Sequence, residues 1–173
     1  MKIKEIFTNP KKLWEVEGIE WRGVKLKEIV EDVKSGFALS KQKRKKINAD
    51  NGIPQLRPYN IANWNKINFE ELTYIPKNMS GAEEYFIKTG DVLFNNTNSI
   101  ELVGRATVYK ELNGTYTYSN HITMIRVNKE TITPDFLSWY VNFLWSKGFF
   151  YLKATKWIGQ AGISNKKLLS IKI

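Results

Sequence analysis

With 173 residues, the chain is long enough for one domain with a substantial core, and its 42% hydrophobic content excludes a disordered protein. The absence of cysteine excludes disulfides, thiolate metal sites and cysteine nucleophiles. Lys and Arg number 27 against 17 Asp and Glu, and this net charge of +10 favours a polyanionic partner. The first residues contain no apolar h-region or small-residue cleavage site, and no apolar run reaches about 18 residues, so we expect a cytoplasmic protein with no membrane partner.

The first predicted element follows an N-terminal arm, which we place at residues 1–20. Leu26, Ile29, Val30 and Val33 have the i, i+3, i+4, i+7 spacing of one helical face. Gly36 stands where a helix would end in the left-handed conformation. The pattern predicts a short helix that opens the main domain.

Next comes the basic segment "KQKRKK", residues 41–46, which is either a phosphate-binding loop or a solvated one. Beyond it, Gly52 and Pro54 introduce "IPQLRPYNI", a predicted strand followed by an exposed turn. Both stretches carry side chains suited to DNA, although packing is the alternative for the turn. The candidates are Lys41, Lys43, Arg44, Lys45, Lys46, Arg57, Tyr59 and Asn60.

The middle of the chain has the short apolar runs of a β structure. Strands are predicted in "LTYIP", "GDVLFN", "LVGRATVYK", "TYTYSN" and "HITMIRVN". The pair Asn113 and Gly114 favours a two-residue hairpin turn between two of them.

Five small polar residues, which we call the amide cluster, follow "DVLF" directly. They are Asn95, Asn96, Thr97, Asn98 and Ser99. Such side chains build turns by bonding nearby backbone, but asparagine also reads adenine edges, and serine or threonine can contact any base. The cluster is therefore either a turn or a recognition loop.

Helices are predicted towards the C-terminus. Thr133 and Pro134 form an N-cap and first helical position, so residues 135–147 should form the longest helix, packed on the sheet and ended by Gly148. A last short helix should start at Ser164 or Asn165. Many strands with few helices and no regular alternation predict an α+β fold, an irregular twisted sheet or barrel with a few packed helices.

Between these helices, "KATKWIGQ" offers three further DNA-binding candidates, Lys156, Trp157 and Gln160. The alternatives are a buried Trp157 and a Gln160 that caps a turn. No acidic residue follows Asp135, so this end of the chain is strongly basic.

Catalytic signatures are missing from the sequence. His121 is the sole histidine, and its position before an apolar strand favours a hydrogen-bonded strand-end imidazole over a metal or triad role. The one "PD" pair, at Pro134, has no carboxylates after it, and no glycine-rich cofactor loop is present. We therefore predict no catalytic residue, no metal site and no enzymatic activity.

Seven strings occur in an order that resembles the target recognition domain of the specificity subunit of type I restriction-modification enzymes. They are Trp21-x-x-Val24-x-Leu26-x-x-Ile29, "SG" at 35–36, "IPQLRPYNI" at 53–61, "KTGDVLFNNTNSIELVGRA" at 88–106, "YSNHITMIRV" at 118–127, "PDFLSWYVN" at 134–142 and "GQAGISNKKLLSIKI" at 159–173. The resemblance covers residues 21–173, which we take as the DNA target recognition domain.

The resemblance implies a non-catalytic reader of one half of a bipartite double-stranded DNA site. In the family, methyltransferase and restriction subunits are the partners, and they bind S-adenosylmethionine, ATP and Mg²⁺. A second target recognition domain, in the same chain or in a dimer partner, reads the other half. The family's spacer helix is expected after Ile173, where it is absent. The alternatives are an RNA-binding module and a protein-interaction module.

Overall fold

The computed structural model describes residues 23–40, 47–62, 66–111 and 113–173. The N-terminal arm and the basic segment lie outside the described residues, so the domain boundary stays a prediction. The strands are β1 Val30–Ser35, β2 Gly52–Leu56, β3 Thr73–Pro76, β4 Val92–Asn95, β5 Thr97–Asn98, β6 Ala106–Val108, β7 Thr117–Tyr118, β8 Ile122–Val127, β9 Thr155–Trp157 and β10 Gln160–Gly162. The α-helices are α1 Pro134–Ser146, α2 Phe149–Lys153 and α3 Asn165–Leu169, and short 3₁₀ helices cover Leu26–Glu28, Pro58–Ile61 and Ala82–Tyr85.

A four-stranded antiparallel sheet in the order β1-β8-β4-β6 forms the centre of the domain. Its strand β4 is buried along its whole length. Val92 and Phe94 point into one core, where they meet Leu137 and Phe150 from the helices, while Leu93 points into a second core on the opposite face. Because both faces are covered, residues 92–94 of β4 form an unbroken apolar run instead of an alternating one.

Two smaller sheets flank the central one. In the order β3-β2-β7, β2 is antiparallel to β3 and parallel to β7. The antiparallel order β5-β10-β9 joins the amide cluster to the C-terminal part of the chain. The predicted fold class, α+β with twisted sheets and few helices, is confirmed.

Helix α1 begins and ends where the sequence predicts. The Thr133 hydroxyl accepts a hydrogen bond from the Phe136 amide at 3.2 Å, Pro134 takes the first turn, and Gly148 follows with a φ of +74°. The helix packs on the sheet through Asn142, whose side-chain amide donates to the Ala106 carbonyl at 2.7 Å. Its other face leaves three aromatic rings exposed, namely Phe136, Trp139 and Phe143.

The short helix predicted from Leu26 to Val33 is wrong. Only Leu26–Glu28 forms a 3₁₀ turn, and Val30–Ser35 is strand β1, paired with β8. The β-branched valines suit an extended chain, and the edge of β8 supplies the partner that periodicity could not show. Gly36 serves close packing instead of a helix end, because a Cβ there would lie 2.2 Å from the Tyr118 carbonyl oxygen.

The hairpin predicted at Asn113 and Gly114 is also wrong. Gly114 does adopt a positive φ, of 92°, as a turn glycine should. However, β6 before it pairs with β4, whereas β7 after it pairs with β2. The turn therefore carries the chain from one sheet to another.

Candidate nucleic-acid interface

The amide cluster lies at the end of β4 and crosses into the β5-β10-β9 sheet. Asn95 is fully buried, and its side-chain amide donates to the Leu102 carbonyl at 3.2 Å. Asn96 is nearly as buried, and its amide donates to the Asn120 carbonyl at 3.1 Å and to the Thr123 hydroxyl at 3.0 Å. These two side chains hold the protein backbone together, which favours the turn interpretation for them.

The rest of the cluster is half-buried and closer to solvent. Thr97 donates its hydroxyl proton to the Asn96 side-chain oxygen at 2.7 Å, and Asn98 accepts from the Ser99 amide at 2.8 Å. The Ser99 hydroxyl bonds to Glu101 and lowers the pKa of that carboxyl group. Direct contact between DNA and any of the five residues stays a prediction.

The turn after β2 also contains both buried and more exposed candidates. Asn60 is buried, where its side-chain oxygen accepts from the Arg57 amide and its nitrogen donates to the Asn68 and Glu71 carbonyls. Tyr59 is exposed and Arg57 is half-exposed. Asn60 therefore shapes the turn, while Arg57 and Tyr59 keep surface available to a ligand.

His121 connects this turn with the amide cluster. Its backbone carbonyl accepts the Asn96 amide at 3.0 Å, and it immediately precedes β8. Burial, and secondarily the charge of Arg57, lowers the pKa of the imidazole. The side chain is therefore biased towards its neutral form at the strand end where the sequence placed it.

Strands β9 and β10 form what we call the terminal hairpin, with Ile158 and Gly159 at its tip. Trp157 is 52% exposed, so it does not take the buried alternative, and Gln160 is exposed as well. The ammonium of Lys156 lies over the Tyr151 ring, 3.9 Å from its centroid. All three candidates of this stretch lie on the surface.

Pairing of β10 with β5 brings two predicted recognition stretches together. Ala161 is opposite Asn98 and Gly162 is opposite Thr97. The amide cluster and the terminal hairpin therefore belong to one three-stranded sheet. Lys156, Lys166 and Lys167 are exposed on or next to this hairpin, and no acidic residue follows Asp135 in the sequence.

No family model matches the chain. A Methanocaldococcus jannaschii protein named as the MjaX specificity subunit of a type I restriction enzyme is 27% identical over 155 residues, which are 89% of this chain and 35% of that protein. The chain thus spans about a third of the length of this curated relative.

Solved structures that are similar to the chain also come from type I restriction-modification systems. The specificity subunit from M. genitalium superposes with a TM-score of 0.57 at 9% identity, over 91% of this chain and 35% of that one. The HsdS subunit from Thermoanaerobacter tengcongensis gives 0.60 at 18% identity, over 94% and 36%. A chain from work on complex assembly and conformational transition of the type I restriction-modification system gives 0.64 at 16%, over 98% and 39%.

The chain has the fold of the type I specificity subunits. The resemblance expected from the seven sequence strings is thereby confirmed. Since the chain spans only about a third of each of these proteins, the match concerns one part of a specificity subunit.

Several polar residues beside the amide cluster could not be recognised from the sequence. Ser35, Asn120 and Thr123 lie beside Asn96, and Asn165 at the start of α3 completes the group. Asn165 lies in the "GISN" part of a quoted string, but nothing local showed that it approaches β1. Only long-range pairing, of β1 with β8 and of β10 with β5, brings these residues together.

Proposed function

We propose that the chain is the sequence-specific double-stranded DNA-binding domain of a type I restriction-modification specificity subunit. It directs methyltransferase and restriction subunits to one half of a bipartite target. The observation that carries the proposal is the single sheet shared by the amide cluster and the terminal hairpin, on a basic domain with the specificity-subunit fold.

In such a DNA-binding domain, positive charges and base-contacting groups have separate roles. Lysines near the terminal hairpin, together with the basic segment 41–46, supply the attraction to phosphates that dominates affinity. Exposed Tyr59, Trp157 and Gln160 and half-exposed Arg57 present hydroxyl, ring, amide and guanidinium groups that can contact bases or the backbone. The fixed amides of Asn60 and Asn96 hold these groups in place.

Catalysis belongs to the partners in this proposal. Among the described residues, no three histidine, aspartate or glutamate side chains come together as metal ligands would. S-adenosylmethionine, ATP and Mg²⁺ are bound by the methyltransferase and restriction subunits, and the second half of the site is read by another recognition domain.

In the described part of the chain, no helix has the length and apolar character needed to cross a bilayer.

Salt-dependent binding tests the proposal. We expect duplex DNA to bind with a dissociation constant of about 10⁻⁴ to 10⁻⁶ M at physiological salt, because one half-site offers few base contacts. Replacing Lys43, Arg44 and Lys45 with alanine should weaken binding to every sequence alike and reduce the slope of log K against log salt by about 0.9 for each lost phosphate contact. Fluorescence anisotropy over a salt series measures both quantities.

A charge-matched variant controls for net charge. Lys88, Lys110 and Lys129 are exposed near the start of β4 and the end of β8, at the end of the central sheet that lies away from the amide cluster. The variant with alanine at all three positions should keep most of the slope of log K against log salt. Equal losses in both triple variants, or stronger binding to single-stranded RNA than to duplex DNA, would contradict a duplex-DNA reader.

A further inference from the structure

A cleft of about 460 Å³ opens between the end of β1, the amide cluster and the terminal hairpin. Its size lies in the usual range of small-molecule pockets, about 300 to 1,000 Å³. The residues that line it are hydroxyl, amide, aromatic and small apolar ones, with no Lys, Arg, Asp, Glu or His among them. A neutral lining on a chain of charge +10 disfavours a phosphate or a metal ion as the occupant.

Trp157 forms one wall of this cleft, which we call the Trp157 cleft. A Cβ at Gly162 would lie 2.8 Å from the Cη2 atom of the indole, so the ring packs against the strand only because residue 162 is glycine. The ring nevertheless remains 52% exposed. Part of a flat aromatic surface is therefore held in place and left uncovered.

The floor of the cleft is a fixed network of neutral polar groups. The Asn165 side-chain oxygen accepts hydrogen bonds from Ser35 at 3.3 Å and from Thr123 at 3.0 Å, and Thr123 also accepts from Asn96. These bonds fix the Asn165 amide in one orientation. Among the described residues, its side-chain nitrogen has no hydrogen-bond acceptor, and the Asn120 side chain has no partner.

We propose that the Trp157 cleft binds one nucleobase that has left the stack of the bound DNA. The base lies against the Trp157 indole, and its edge bonds to the amides of Asn165 and Asn120. Base–aromatic stacking accepts any base, whereas asparagine amides pair with base edges. This inference rests on the proposed DNA-binding function and adds an unpaired base as the specific ligand.

The surroundings of the cleft fit a base that remains attached to its strand. Lys167 lies at the rim, where its ammonium donates to the Lys153 carbonyl at 2.8 Å and to the Thr155 hydroxyl at 3.0 Å. Lys156 follows Thr155 on the same strand. These two cations place positive charge where the phosphates flanking an extruded base would pass.

Three duplexes of equal length test the inference. One is fully paired, one has a single bulged adenosine, and one has an abasic nucleotide at the bulge. We expect the chain to bind the bulged adenosine about tenfold more tightly than the abasic bulge, in line with the usual contribution of one stacked base. The Trp157→Ala variant should lose this preference, while Trp157→Phe should keep most of it.

Trp139 provides a matched control, because it is 48% exposed but lies on α1, outside the cleft lining. The Trp139→Ala variant should keep the full preference for the bulged base. Equal binding of the two bulges by the unmodified chain, or an unchanged preference in Trp157→Ala, would overturn the inference. Salt-dependent binding to the fully paired duplex tests the proposed function separately, and it can persist when the preference is absent.

Photocrosslinking of the unmodified chain gives a readout that does not depend on the folding of a variant. A duplex with a single bulged 5-iodouracil is irradiated, and the attached peptide is identified by mass spectrometry. We expect the adduct on Trp157. Adducts only at other residues, or none at all, would overturn the placement of the base.

Discussion

Replacing Asp91 with alanine is expected to destabilise the domain by about 3 kcal/mol, the low end for a broken buried ion pair, because Asp91 is buried but the Arg126 charge left without this partner is 24% exposed. Asp91 is 1% exposed, and Arg126 donates to both of its oxygens, at 2.8 and 2.7 Å. The same carboxylate accepts the Lys88 backbone amide at 2.7 Å. Urea unfolding followed by tryptophan fluorescence measures the loss.

A second ion pair in the same domain provides the control. Lys110 and Asp135 approach to 2.6 Å, but both side chains are more than half exposed. Solvent screens such pairs, so Asp135→Ala should cost less than about 1 kcal/mol. If Asp91→Ala and Asp135→Ala lose the same free energy of unfolding, burial does not increase the contribution of the Asp91 pair to stability.

Gly104→Ala should cost about 2 to 4 kcal/mol, since backbone strain and overpacking add at this position. Gly104 has a φ of +96°, and a Cβ there would lie 2.3 Å from the ring of Phe150, a buried residue of the larger core. The turn before β6 therefore requires glycine for two reasons. The free energy of unfolding, from denaturant or thermal melts, checks the sum.

Gly148 is a control that separates the cost of backbone strain from the cost of overpacking. Its φ is +74°, but nothing lies within 4 Å of the position where a Cβ would stand. Gly148→Ala should therefore show the strain alone, about 1 kcal/mol. If both alanine variants lose the same free energy, the contact with Phe150 contributes nothing and the packing account of Gly104 is wrong.

Helix α1 could be predicted because its signals are local. Thr133, Pro134 and Gly148 define both ends within one short stretch. Strand β1 could not be predicted, since its helical spacing is overridden by pairing with β8, which lies far along the chain. The same limitation explains the wrong hairpin at Gly114, where each flanking strand finds a distant partner.

The candidate site shows a similar division. Composition identified the amide cluster and the stretch "KATKWIGQ", but only the β5–β10 pairing shows that they share one sheet. Composition also cannot tell an amide that reads a base from one that holds a loop. The side-chain nitrogens of Asn60 and Asn95 donate to backbone carbonyls inside the fold, whereas Trp157 and Gln160 keep exposed surface.

The most direct measurement is a methylation-site profile after domain exchange. Residues 23–173 replace one recognition domain of a type I specificity subunit whose bipartite site is known, and the assembled enzyme methylates genomic DNA. We expect one half of the methylated site to change while the other half is retained. An unchanged site, or no methylation by a correctly assembled complex, would contradict the proposal that this chain reads half of a DNA target.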